Sequence, residues 1–121
     1  MKKKIMVVDD SRVMEYQIRK LLEDSDFEVA AYCENGEEAI AQYEEIQPDI
    51  VTMDIIMPGI DGLETAKIIV DVHPDARIVM ISSLAYDDTI NEAKAIGAKA
   101  FLYKPIDRDT LLNALEQALT E

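Results

Sequence analysis

The chain has a single cysteine, Cys33, so it has no internal disulfide, and a reducing compartment is the expected home. Glycine and proline are scarce, four of each in 121 residues, which excludes collagen-like and low-complexity disordered chains. No apolar run nears the roughly 20 residues that cross a bilayer, and the first 20 residues have no signal-peptide core. Positive charge is short as well. Twelve Lys and Arg stand against 25 Asp and Glu, a formal charge of −13. Such a surface repels phosphate backbones and anionic lipid, so neither nucleic acid nor membrane is expected as a direct partner. Lys2–Lys4 is a basic triplet, read as a solvated lead-in to the first strand. What is plentiful is apolar residue, 49% of the chain, enough for one core in one domain over 1–121. A cytoplasmic monomer is expected.

The apolar residues alternate between two periods. Short β-branched runs at Ile5–Val8, Val29–Tyr32, Ile50–Met53, Ile78–Ile81 and Ala100–Tyr103 are continuous, as strands buried on both faces are. Between them the spacing is helical. Met14, Ile18, Leu21 and Leu22 form one stripe; Leu63, Ala66, Ile69 and Val70 form another. Leu111, Leu112, Leu115, Ala118 and Leu119 form a third. Asn35 before Glu38, Asp61 before Glu64, and Asp107 are placed as helix caps. Strict strand–helix alternation over five repeats implies an α/β doubly wound parallel sheet, (βα)5, covered on both faces. Such sheets bind ligands beyond the carboxyl ends of their strands.

Those ends carry chemistry. The first strand runs into Asp9-Asp10, the third into Asp54, the fourth into Ser82-Ser83, and the fifth into Lys104-Pro105. Three acids converging on one edge repel one another unless a cation neutralises them, and all-oxygen ligation suits Mg²⁺. The site is wrong for a nucleotide: neither G-x-G-x-x-G nor G-x-x-x-x-G-K-[ST] is present, and acids stand where glycine amides would be needed. A dehalogenase-type phosphatase wants a second acid two residues after its nucleophile, and here that residue is Ile56. The arrangement fits a metal-assisted aspartate that accepts a phosphoryl group, with Lys104 and Ser82 on its oxygens. His73, before Pro74, reads as a solvent-exposed loop residue, and Cys33 as a small core residue.

Four motifs in register then resemble the receiver domain of two-component response regulators. They are Val7-Val8-Asp9-Asp10; Met53-Asp54-Ile55-Ile56-Met57-Pro58-Gly59-Ile60-Asp61-Gly62; Ile81-Ser82-Ser83; and Tyr103-Lys104-Pro105. The resemblance spans essentially the whole chain. It implies a CheY-like (flavodoxin-like) strand order of 2-1-3-4-5. It implies Asp54 as phosphoacceptor, and Mg²⁺ on Asp10, Asp54 and the backbone carbonyl of Ile56, with Asp9 acting through water. It implies Lys104 on the phosphoryl oxygen, a cis bond before Pro105, and a turn into the third helix at Asp61-Gly62. Ser82 stands at the switch hydroxyl and Phe101, three before the lysine, at the switch aromatic. Ile56 and Leu84 stand where the family flanks the path of the hydrolytic water.

The implied function is a signalling switch rather than a conventional enzyme, one that assists its own phosphorylation and dephosphorylation. A histidine kinase or phosphotransfer protein would load Asp54, and a protein target would read the face of the fourth helix, fifth strand and fifth helix. Two rivals stand beside it: a receiver cut from a larger DNA-binding regulator, and a phosphorylation-independent interaction module. Met1 and an end just after the fifth helix suit a stand-alone protein. Lys99-Ala100 and the weakly charged fourth helix are closer to chemotaxis-type single-domain receivers than to winged-helix regulators. An interaction module would lack an Asp or the Lys, and none is missing.

Overall fold

The computed structural model describes residues 1–84 and 86–120. Five strands alternate with five helices: β1 (Lys3–Val8), α1 (Arg12–Leu21), β2 (Phe27–Cys33), α2 (Gly36–Ile46), β3 (Ile50–Asp54), α3 (Gly62–Val72), β4 (Ile78–Ser82), α4 (Asp87–Ile96), β5 (Ala100–Tyr103) and α5 (Arg108–Thr120). The strands form one parallel sheet in the order β2-β1-β3-β4-β5. The sheet order expected from the resemblance is the one observed.

Alternate side chains of each continuous apolar strand go to opposite faces. Ile5, Val7, Ile50, Val79 and Ile81 pack with Met14 and Ile18 of α1 and with Leu111 and Leu115 of α5. Met6, Val8, Val51, Met53, Ile78 and Met80 pack instead with α2, α3 and α4 through Ala39, Tyr43, Leu63, Ile69 and Ala93. The predicted stripes sit on the core, with Leu21, Val70, Leu112 and Leu119 half-buried at their margins. All three predicted caps form. Asn35 accepts from the Glu38 amide, Asp61 from that of Glu64 and Asp107 from that of Thr110, each at 2.8 Å. No helix among the described residues is long and apolar enough to cross a membrane.

Three strands depart from the sequence reading, and in β5, at the far edge of the sheet, only Leu102 is buried. β1 starts at Lys3 rather than Ile5, because the Lys3 amide reaches the Asp26 carbonyl at 2.8 Å and Lys3 pairs with Phe27. The lysine triplet is therefore partly strand. β2 is not buried throughout: Glu28 and Ala30 are exposed and Val29, Ala31 and Tyr32 half-buried. It lies at the sheet's edge with one neighbour, and a register shift opposite Ile5 and Met6 turns its middle outward. α4 buries only Ala93, so few contacts oppose its displacement.

Candidate functional site

Three parallel strands end side by side, and that register builds the site. β1 stops at Val8, so Asp9 and Asp10 begin the turn into α1; β3 carries Asp54 as its last residue. One carboxylate oxygen from each of Asp9, Asp10 and Asp54 lies within 4.8 Å of the others, with Asp9 and Asp54 buried and Asp10 exposed. Ser11 donates its amide to Asp9 Oδ1 at 2.8 Å and fixes that side chain. From β5, Lys104 brings Nζ to 3.1 Å of Asp9 Oδ2 and 3.5 Å of Asp54 Oδ2. Its amide donates to the Ser82 carbonyl at 2.9 Å, which locks the end of β5 to the end of β4. The Lys104–Pro105 bond is cis.

Electrostatics set the character of Asp54. Burial comes first and the neighbouring Asp9 second, and together they push its carboxyl from 3.8 up to about 6 against the opposing pull of Lys104. Asp10 adds to the upward shift. One ammonium does not balance three carboxylates. An all-oxygen donor set that repels itself fits a hard divalent cation such as Mg²⁺.

Ser82 is buried at the end of β4, and its Oγ accepts from the Leu84 amide at 3.0 Å. Leu84 is half-buried, while Ile56 projects into solvent at 56% exposure. Phe101 is half-buried against the α2–α3–α4 side of the core, its ring 5.4 Å from that of exposed Tyr103. Gly62, whose amide donates to the Ile55 carbonyl at 2.7 Å, lies so close to β3 that a Cβ there would collide with the Asp54 carbonyl oxygen. The cap from Asp61 and this approach are what return the chain to α3 directly under Asp54.

Several supporting residues escaped the sequence reading. Thr65 is fully buried and its hydroxyl donates to the Asp61 carbonyl at 2.7 Å, bracing the same turn. Glu15 is buried on α1, held by Arg19 at 2.7 Å and Arg12 at 3.6 Å; its i,i+4 spacing to Arg19 was the available signal. Arg108 reaches the carbonyls of Leu21 and Glu23, a long-range contact that no local pattern announces. His73 lies just past the end of α3, in the expected loop, but is half-buried rather than exposed. It closes α3 with an amide bond to the Ile69 carbonyl, its ring packs 4.7 Å from Tyr43, and Nε2 lies 3.7 Å from Glu44. Cys33 is wholly buried, and burial pushes its thiol up to about 12, so it is inert at neutral pH.

Residues 5–116 match the family model of the response regulator receiver domain. The chain is 44% identical over 115 residues to a chemotaxis protein CheY of Listeria monocytogenes, covering 95% of this chain and 97% of that one. It is 40% identical over 116 residues to the CheY of Bacillus subtilis, covering 96% and 97%. Its fold superposes with a TM-score of 0.93 on the crystal structure of a CheX–CheY–BeF3–Mg complex from Borrelia burgdorferi, at 30% identity, over 98% of this chain and 90% of that one.

Proposed function

The chain belongs to the response regulator receiver family, and from that premise we propose that it is a single receiver domain over 1–121 that takes a phosphoryl group onto Asp54. The observation that carries the reading is Lys104, whose ammonium spans Asp9 and Asp54 while Asp54 itself is buried among acids. A buried carboxylate beside a fixed ammonium has a nucleophile and an anion partner already in place. Asp9, Asp10, Asp54 and the carbonyl of Ile56 would hold Mg²⁺, which when bound neutralises the acids and offsets the charge of the phosphoryl oxygens.

A carboxylate oxygen of Asp54 attacks phosphorus in line with the departing donor group, and Lys104 draws the phosphoryl oxygens toward β5. The donor is a phosphohistidine of a kinase or phosphotransfer protein, or a small phosphodonor. Ser82 Oγ then gives up its bond from the Leu84 amide to meet the phosphoryl group, and Phe101 moves into the space vacated. The face of α4, β5 and α5 changes with them, and α4 is the element with least to lose. A protein target reads that face; the named relatives make a chemotaxis-type response the natural setting. The domain works in the cytoplasm as a monomer and needs no nucleic acid.

Incubation with acetyl phosphate and Mg²⁺ should add one phosphoryl group by intact mass, and EDTA should prevent it. Labelling that survives EDTA, or that maps away from Asp54, overturns the assignment. Ser82→Ala should still be labelled, yet fail to shift the amide resonances of α4 and α5; a full response in that variant removes Ser82 from the relay.

The phosphorylated form should be long-lived. Ile56 and Leu84, the residues two beyond Asp54 and Ser82, are apolar and cannot orient a water for in-line attack. Ile56→Asn with Leu84→Glu should speed loss of the phosphoryl group by about tenfold, less than the roughly hundredfold or more that a fully positioned acid–base group contributes. Decay after the donor is removed, followed in Mg²⁺, is the measurement, and an unchanged half-life dismisses the apolar gate.

A further inference from the structure

The end of the sheet away from Asp54 carries a polar cavity that the phosphoryl chemistry does not use. α2 and α3 both finish there: Gln47 caps α2 in the left-handed conformation at φ +48°, and His73 caps α3. Neither helix has a basic residue in its last turn, so two partial negative ends converge without a cation of their own. The chain beyond each cap leads into a strand, and so sets Asp49 before β3 and Asp75 and Arg77 before β4. The Val51 amide donates to the Arg77 carbonyl at 2.8 Å, which holds those two strand starts side by side. Tyr43, Gln47, Asp49, His73, Asp75 and Arg77 line a cavity of about 320 Å³, the size of a small-molecule site.

Two charges in it are uncommitted. Among the described residues the Arg77 side chain makes no hydrogen bond or ion pair, and its Nε is buried without a partner. A buried donor left open is costly, and an incoming acceptor removes that cost. Asp75 is exposed and makes no ion pair among the described residues either. The two do not reach each other, yet both act on the Tyr43 phenol: burial pushes it up first, Asp75 adds to the shift and Arg77 opposes it. The remaining charges are spoken for. Asp49 Oδ2 accepts from the Lys4 amide at 2.7 Å, and His73 Nε2 lies 3.7 Å from Glu44.

We infer that this cavity binds a small zwitterion of the α-amino acid class, its carboxylate on Arg77 and its ammonium between Asp75 and the carboxyl ends of α2 and α3. The planar guanidinium fork matches a carboxylate, and an ammonium has three donors to share between Asp75 and the Tyr43 hydroxyl. A simple anion would meet Asp49, Asp75 and two helix carboxyl ends; a simple cation would meet Arg77. An amino acid carries both charges close together and answers both. The inference is independent of the role of Asp54.

Titration of the unphosphorylated protein in EDTA with glycine, L-serine or L-histidine should move the amide resonances of residues 43–49 and 73–77. A Kd on the order of 1 mM is expected for the tightest of them, within reach of ligands this small. Acetate and ethylamine, with one charge each, should bind about tenfold more weakly, the scale of one charge-assisted hydrogen bond. Arg77→Gln and Asp75→Asn should each weaken the tightest amino acid by about the same factor. Asp71→Asn removes the same charge from α3 outside the cavity and should leave binding unchanged. Asp75 is exposed, so Asp75→Asn decides the matter even if Arg77→Gln fails to fold. No shift from any of the three amino acids at about 10 mM, ten times that Kd, overturns the inference. So does acetate or ethylamine binding as tightly as the amino acid, or full affinity in Asp75→Asn.

Discussion

Asp54→Asn is expected to abolish phosphorylation and, in the same molecule, to make the metal-free protein more stable at neutral pH. The two effects have one origin. The carboxylate proposed as nucleophile is buried and crowded by Asp9 and Asp10, and its charged form is disfavoured enough to move its titration from 3.8 to about 6. Because the folded pKa lies above the unfolded one, the folded state holds the proton more tightly. The stability that this one group contributes is greatest below about pH 4, declines as pH rises through 6, and stays reduced above that. Asparagine carries no charge at any pH, so the penalty disappears. At 1.36 kcal/mol per pKa unit, the gain at pH 8 comes to roughly 2–3 kcal/mol, a net figure that already includes the opposing attraction to Lys104. Urea midpoints in EDTA should favour Asp54→Asn at pH 8, with the gap narrowing at pH 5. Mg²⁺ should raise the unsubstituted protein toward the variant by neutralising the same charges. Equal midpoints at pH 8 would mean that the acids are not strained against one another. The proposed chemistry needs this costly carboxylate, which would make the site a trade of stability for function.

Gly62→Ala should be the most damaging methyl addition at the site. The new Cβ would press on backbone, the Asp54 carbonyl and the Ile55 Cα, and no side chain can rotate out of its way. Overpacking against fixed backbone costs roughly 3 kcal/mol, and the displaced atoms belong to the proposed phosphoacceptor itself. Both the unfolding midpoint and the phosphorylation rate should fall. Gly97→Ala is the comparison: it has nothing within 4 Å of its Cβ but a φ of +111°, so it should lose stability through backbone strain alone and keep the phosphorylation rate. If Gly62→Ala is labelled as fast as the parent, α3 does not position Asp54 by this contact.

The elements that the sequence announced well are those with a local cause. Met14 and Ile18, or Leu111 and Leu115, repeat at helical spacing because a helix has one face to bury, and Asn35, Asp61 and Asp107 cap because each has an amide three residues on to bond. β1, β3 and β4 read as continuous apolar runs because both faces are covered. β2 and β5 broke that rule, since membership in a run does not say whether a strand has two neighbours or one. His73 misled for a similar reason: a histidine before proline has a loop's signature, while Tyr43 and Glu44, which half-bury it, come from another helix.

By itself, then, the sequence determined five strand–helix repeats, a two-sided core, and three acids, a hydroxyl and an ammonium placed at strand ends, because hydrophobic period and chain direction suffice for that. The tertiary structure alone decided how those groups act on one another. Asp54 becomes a weak acid because β1 and β3 are neighbours, and Lys104 becomes the partner of Asp9 and Asp54 because β5 is fastened to β4 at Ser82. Gly62 becomes irreplaceable because α3 returns beneath β3. Each depends on distances between residues far apart in the chain, and Coulomb energy, desolvation and steric contact respond to those distances rather than to order along the sequence.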